Sequence, residues 1–415
     1  MNVRAGRFPL FDSLRAIAAI AVVTTHAAFF SGALNSHIAL LRQVAARLDV
    51  GVTIFFFISA FLLYRPFARA ALREESSPQL LPYAWRRVLR IVPAYWVALT
   101  VTSLLLGYHY VFTLKGFVVH YGFLQIYRTS TLDSGLGQAW TLCIEMTFYA
   151  FLPLWAWALA KIRWRTPASR LRGELWLLAA LAAASIAFKV IVLAAQPAGP
   201  MEATWSLWTL PAYLDQFAVG MAIALFSVWW EERPELPRLL RPLDRFPSIS
   251  WLFALAALLV VSAGIGVQGH FPEAFSKLQF MEMHVLYTAV AFGVILPAVF
   301  GNQQRGGVRR LLANPVLLWL GLISYGIYLW HQMIFIKLGE HGFNAGAFIH
   351  PYIGWWSAAL LGGIAFATVS YYAMERPLMR FRGLVPTRRT GFEGEALAES
   401  APLVPETVPA ASEGA

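Results

Sequence analysis

An all-α integral membrane protein, with about ten transmembrane helices and both termini in the cytoplasm, is the fold class that the sequence predicts. Three observations lead there. Of the 415 residues 58% are hydrophobic and only 13% charged, a balance foreign to a soluble domain. Apolar stretches recur at about 10–31, 48–67, 91–108, 139–160, 174–195, 209–230, 248–267, 281–300, 315–338 and 352–373, most of them close to the ~20 residues that cross a ~30 Å hydrocarbon core at ~1.5 Å rise per residue. Finally, 25 of the 33 Lys and Arg residues fall on one side of this alternation, and the positive-inside rule makes that side cytoplasmic. The net charge of +11 therefore flanks spans and does not form a nucleic-acid patch.

The first stretch, Phe8 to Phe30, holds Asp12, Arg15 and His26. Ionisable groups inside a spanning helix are costly and usually face a polar cavity. Arg15 and His26 are eleven positions apart, about three turns, so they share one face at ~16 Å separation along the axis. The plain alternative is that Arg15 snorkels to the interface and His26 is a satisfied polar residue within a bundle. The stretch is too long and too polar for a signal-peptide core, and is expected to be retained.

The second span reads GVTIFFFISAFLL, with Gly51 and Ala60 suited to close helix packing. At the mouth of the third, WRRVLRIVPAYW places Arg87 and Arg90 three apart, neighbours on one face if the segment is helical. Such a guanidinium pair suits bidentate contacts to phosphate, or else contact with lipid headgroups. Thr113 to Tyr127 is apolar but too short to span, and reads as an interfacial or re-entrant helix on the outer side. The fourth span, AWTLCIEMTFYAFLPL, buries Glu145, with Tyr149 one turn on; Cys143 reads as a packing residue. The single cysteine allows no internal disulfide. Asp215 lies in the sixth span. The ninth, ISYGIYLWHQMIF, carries Tyr325, Tyr328 and His331, and the tenth ends in MERPLMRF. By rise alone, His26, Glu145 and His331 come out at ~21–24 Å from the inner surface, with Asp215 near the same level. His37, His109, His120, His270, His284, His341 and His350 are expected on outer loops or outer edges of spans, with no metal-ligand spacing. From residue 383 to 415 the composition is that of a disordered cytoplasmic tail, leaving 1–382 as one polytopic domain.

Taken in order, these segments resemble the membrane acyltransferase-3 family. Arg15 stands eleven positions before His26. Gly51, Val52, Phe55, Phe56, Ile58, Ser59 and Phe61 match the second motif, with Ala60 where glycine is usual. Arg87, Arg90, Pro93 and Tyr95 match the third. Trp140, Thr141, Leu142, Glu145, Phe148 and Tyr149 match the fourth, Ser324, Tyr325, Tyr328, Leu329 and His331 the fifth, and Glu375 and Pro377 the closing Glu-x-Pro. Six matches in order over about residues 8–380 make the resemblance specific.

The resemblance implies an O-acyltransferase that moves an acyl group, expected to be acetyl, from cytoplasmic acyl-CoA to a hydroxyl of a carbohydrate or related acceptor. Acyl-CoA is then a co-substrate, with no permanently bound cofactor, no metal and no nucleic-acid partner. His26 is the candidate general base, since a neutral imidazole accepts a hydroxyl proton near pH 7. Glu145 would orient it, balance its charge or hold the acceptor. Arg15, Arg87 and Arg90 would hold coenzyme A phosphates, and Asp12, Tyr95, Trp140, Tyr325, Tyr328 and His331 are the expected substrate contacts. Direct transfer and an acyl-histidine intermediate both remain open. A secondary transporter with Arg15, His26 and Glu145 along its path is the rival reading; the motif set and the lack of a visible internal repeat stand against it.

Overall fold

The computed structural model describes residues 8–33, 39–132, 134–197, 204–231, 240–264, 275–343 and 350–385, with a few isolated positions between them. The expected tail lies almost wholly outside these residues, as do His37 and His270. Every regular element among the described residues is helical. The long helices are α1 (Leu10–Phe30), α2 (Gly51–Leu72), α3 (Leu80–Leu105), α4 (Trp140–Ala160), α5 (Pro167–Ala194), α6 (Leu210–Trp230), α7 (Ser248–Gly264), α8 (Lys277–Val299), α9 (Pro315–Glu340) and α10 (Pro351–Ser370). Nine of these are long and apolar enough to cross a membrane among the described residues; α7, with 17 residues, is the shorter tenth. The protein is thus a multi-pass membrane protein, as its composition predicts.

Two local differences from the sequence reading have clear causes. Helix α3 begins at Leu80, eleven residues before the apolar stretch that marks it. Arg86, Arg87 and Arg90 depress the local hydropathy, yet arginine is a good helix former, so the helix runs straight through them. Between α3 and α4 the apolar Thr113–Tyr127 stretch forms short helical pieces, of which Leu114–Tyr121 is the longest at 8 residues. That covers only ~12 Å. Thr113 caps it by accepting from the Gly116 amide at 3.1 Å, and His120, expected on an outer loop, is buried there. Its Nδ1 bonds the Gly116 carbonyl oxygen and its Nε2 the Ser134 hydroxyl, each at 2.8 Å.

Helix α1 lies against α2, α9 and α10. Its buried Ala16, Ala18, Ala19, Ala27 and Ala28 keep its surface low, which is how helices approach closely without a hydrophobic drive from water. Gly51 answers them from α2: a Cβ there would lie 2.4 Å from the Ala18 carbonyl oxygen. Farther along, Ala60 faces Gly220 of α6, where an added Cβ would come within 2.6 Å of the Ala60 Cβ. Where the resemblance leads one to expect glycine, alanine fits because the facing helix supplies the glycine.

The same pair of helices is tied at its other end. Arg65 and Arg73 of α2 reach Glu231, just past α6, at 3.1 and 2.8 Å, with Arg69 at 3.8 Å. The Arg65 guanidinium also lies over the Phe8 ring at 4.9 Å. A second polar cluster joins α5, α6 and α8. Lys189 Nζ lies 2.9 Å from Asp215 Oδ1 and donates to the Ala212 carbonyl at 2.8 Å, while His284 Nε2 sits 2.9 Å from Asp215 Oδ2. Lys189 is fully buried. His284, expected at an outer edge, is buried in this cluster. Asp215 is therefore spent on a structural ion pair, as buried charges require a partner.

Candidate active site

Inside the bundle is a cavity, partly open to the surroundings, whose empty space together with the open space at its mouth is about 760 Å³; it is lined by residues of α1, α2, α3, α4 and α9. Arg15 enters it from α1, and Arg87 and Arg90 from the polar first half of α3. The helical path through Arg87 and Arg90 sets both on one face, as their spacing requires. From α2 the lining runs from Val52 to Leu63, eleven residues or ~16 Å along the axis. Glu145 projects from α4, Tyr325 and Tyr328 from α9.

Glu145 is held on both carboxylate oxygens. Ser59 donates to Oε1 at 2.9 Å and Tyr149 to Oε2 at 2.8 Å. The guanidinium groups of Arg15 and Arg90 act on the same half-buried carboxyl group, which thus has both hydrogen-bond donors and positive charge near it. Arg15 itself donates to Asp12 Oδ1 at 3.0 Å. Asp12 therefore touches the site through Arg15 and is not itself part of the lining.

The imidazoles stand apart from the cavity lining. His26 Nδ1 lies 3.1 Å from His331 Nε2 and 3.1 Å from the Val22 carbonyl oxygen, and His26 Nε2 lies 3.2 Å from the Gln332 side-chain nitrogen. His331 is fully buried, while His26 is partly exposed. Between this pair and the cavity stands Tyr328: it lines the cavity, and its ring lies 5.8 Å from that of His331. The Tyr328 hydroxyl donates to the Gln138 carbonyl at 2.6 Å and shares a 2.8 Å bond with Thr141.

Of the residues singled out in sequence, the structure brings Arg15, Arg87, Arg90, Glu145, Tyr325 and Tyr328 to one cavity, and His26 to His331. It does not bring Glu145 to His26, whose side-chain partners are His331 and Gln332. Tyr325 donates to the Ile91 carbonyl at 2.9 Å. Tyr95 is buried off the cavity, donating to the His120 carbonyl at 2.8 Å and stacked on Phe123 at 4.3 Å. Trp140 packs edge-on against Trp208 at 4.6 Å, also off the lining. Cys143 is buried. Ser59, Thr141, Gln138 and Gln332 join the site without having been assigned roles. For Gln332 the signal was available: an amide-bearing polar residue directly after His331 in an apolar helix.

The family model described as acyltransferase domain, that of the acyltransferase-3 family, matches residues 9–375. The chain belongs to this family. Among curated proteins it is similar to acyltransferase MdmB of Streptomyces mycarofaciens, 26% identical over 417 residues, with 92% of this chain and 94% of that protein covered. It is similar as well to exopolysaccharide production protein ExoZ of Rhizobium meliloti, 29% identical over 353 residues, covering 83% and 94%. Peptidoglycan O-acetyltransferase OatA of Listeria monocytogenes is 25% identical over 344 residues, 79% of this chain and 49% of that protein. No solved structure matches. This membrane protein is accordingly an acyltransferase, and the transporter reading is set aside.

Proposed function

We propose that this acyltransferase moves an acyl group, acetyl in the simplest case, from coenzyme A to a hydroxyl of a saccharide acceptor. The observation that carries this reading is the cavity itself: three arginines and Glu145 line one partly open space inside the bundle, with the His26–His331 pair just beyond Tyr328. Arg15, Arg87 and Arg90 suit the coenzyme A phosphates, since guanidinium binds phosphate bidentately. The saccharide acceptor is supported by the names of two relatives, an exopolysaccharide production protein and a peptidoglycan O-acetyltransferase.

With the arginine end cytoplasmic, as the Lys/Arg distribution predicts, the phosphates stay at the inner side. The cavity stretch of ~16 Å along α2 is about the length of a pantetheine arm, roughly 15–18 Å if its chain of about 14 bonds advances like a peptide backbone. The thioester would then come up to Tyr328 while the acceptor approaches His26 from the opposite side. His26 takes the hydroxyl proton as the oxygen bonds to the acyl carbon. The carbon–sulfur bond breaks, and the departing thiolate takes the proton back from the imidazolium, so the reaction is proton-neutral. Glu145, tied to Ser59 and Tyr149 and not hydrogen-bonded to His26, fits a role in holding the charge balance of the arginines or the acceptor rather than in orienting the base.

A thiol-release assay on purified protein tests this, with acetyl-CoA and a panel of soluble oligosaccharides. Acceptor-dependent release of free coenzyme A that is abolished in His26→Ala is the expected result. Near-normal turnover in a folded His26→Ala variant removes histidine from the chemistry.

A further inference from the structure

We propose that Gln332 is a positioning residue for His26: it fixes the ring with its lone pair on Nε2, and occupies that nitrogen until the acceptor hydroxyl takes its place. This rests on the reading of His26 as the base. Gln332 is named by neither the motif matches nor the relatives.

The assignment follows from which atoms can only donate and which can only accept. The backbone N–H of Gln138 can only donate, and it points at Gln332 Oε1 at 3.2 Å. That bond identifies the oxygen end of the Gln332 amide, so the nitrogen end faces His26 Nε2 at 3.2 Å. An amide NH₂ has no acceptor capacity. His26 Nε2 must therefore accept, and carries no proton. The proton sits on Nδ1, where two acceptors wait: the Val22 carbonyl and His331 Nε2, each at 3.1 Å. His331 is consistent with this, because its own Nδ1 faces the Ile327 carbonyl at 3.2 Å and must donate there, leaving Nε2 free to accept. The Gln138 amide, through Gln332, and the Val22 carbonyl thus select the same tautomer of His26 from opposite sides of the ring, while the Ile327 carbonyl sets that of His331.

The Gln138 side chain anchors its own end of this chain by donating to the Leu329 carbonyl at 2.7 Å. Gly137, next to it, leaves the approach open: a Cβ there would lie 3.3 Å from Gln332 Oε1. Tautomer control through the second ring nitrogen is a general device for histidine bases. Here the control is applied to the nitrogen that must react. In the transfer step the acceptor O–H displaces the Gln332 N–H from Nε2 and gives its proton to that nitrogen as the oxygen–carbon bond forms. His26 Nδ1–H stays on His331, which stabilises the resulting imidazolium. Among the described residues, His331 is the titratable side chain in contact with His26; Gln332 and Gln138 do not titrate.

Two variants test this in the purified full-length protein, read by ¹⁵N spectra of labelled histidine, with the His26 signals assigned by their absence in His26→Ala. Wild-type protein at pH 7.5 should show an unprotonated Nε2 and a protonated Nδ1. Gln332→Leu, which leaves only Val22 and His331 to hold the Nδ1 proton, should admit a measurable fraction of the Nε2–H tautomer and lower kcat/KM for acetyl-CoA-dependent acetylation of an oligosaccharide about three- to tenfold, the range one neutral hydrogen bond supplies. Gln332→Glu keeps the shape and still accepts from the Gln138 N–H, but puts a carboxylate on Nε2. It should move the acidic limb of both the His26 titration and the kcat/KM profile up by about one pH unit. Unchanged tautomer in Gln332→Leu together with an unmoved titration in Gln332→Glu overturns the proposal. Failure of the underlying reading looks different: His26→Ala would retain transfer, whatever the Gln332 variants do.

Discussion

Tyr328 on α9 and Thr141 on α4 join their hydroxyls at 2.8 Å. Since Tyr328 gives its own proton to the Gln138 carbonyl at 2.6 Å, Thr141 is the donor in that pair. The phenol is pinned from two sides where it narrows the way between the cavity and the imidazoles, along which thioester and acceptor meet. Removing the ring in Tyr328→Ala should widen that way and let water reach the thioester. Coenzyme A release without acceptor should then rise several-fold relative to transfer, whereas Tyr328→Phe, which keeps the ring, should stay near wild type. Equal acceptor-free release in wild type and Tyr328→Ala would show that the ring does not limit the access of water.

Arg87 and Arg90 line the cavity from one face of α3. Phosphate contacts distant from the reacting carbon bind ground and transition states alike, so their loss raises KM and leaves kcat nearly unchanged. Arg87→Ala and Arg90→Ala should each raise the KM for acetyl-CoA by roughly ten- to a hundredfold, the range of a hydrogen bond to a charged group. Steady-state kinetics over acetyl-CoA concentration check this. An unaltered KM in folded variants returns these residues to setting topology.

The Lys189–Asp215–His284 cluster gives a stability prediction. Asp215→Ala leaves a fully buried ammonium without its carboxylate, at a cost of about 3–5 kcal/mol. Lys189→Met together with Asp215→Leu removes both charges and should recover most of that loss. Unfolding of the purified variants in detergent measures it, and a double variant no more stable than Asp215→Ala would contradict the ion-pair account.

His120, outside the long helices, gives a pH dependence. Burial lowers its pKa below the ordinary 6.5, partly opposed by its bond to the Gly116 carbonyl. The folded segment therefore favours the neutral ring. Its contribution to stability is complete above about pH 6.5 and declines as pH falls from there through the lowered folded value. Protection of the amides of residues 114–132, taken relative to their intrinsic exchange rate at each pH, should fall on going from pH 7.5 to pH 5, and His120→Gln should abolish that difference. The same fall in protection in His120→Gln would assign it to another group.

Hydropathy is summed over some twenty residues, and so the spans were legible while their ends were not; the start of α3 was hidden by its own arginines. Glu145 was legible as a costly charge, and Tyr149 as its partner one turn on. Ser59 was not, because it comes from another helix and no local spacing links the two. Counting rise gave depth, and depth alone brought His26, Glu145, His331 and Asp215 to one level. Two of these do meet. Glu145 and Asp215 turn to different neighbours, since depth carries no information about which way a helix is rotated, and that is decided by close contacts such as Gly51 on Ala18 and Gly220 on Ala60. Lys189 is not legible for a related reason: in an otherwise apolar span its charge is explained only by Asp215 and His284 on two other helices.

Helices α2 and α6 meet without a gap at Ala60 and Gly220 and are bolted at one end by Arg65 and Arg73 on Glu231. Sliding one along the other would drive a Cβ into backbone and break both ion pairs at once, so the two move as a single rigid beam. One wall of the cavity, from Val52 to Leu63, belongs to that beam and keeps its shape through the catalytic cycle. Entry of a bulky thioester must then be accommodated by other walls, among them α3 and α9, which a tyrosine hydroxyl on the Ile91 carbonyl joins. A disulfide between α2 and α6 should leave turnover intact, where one between α3 and α9 should arrest it.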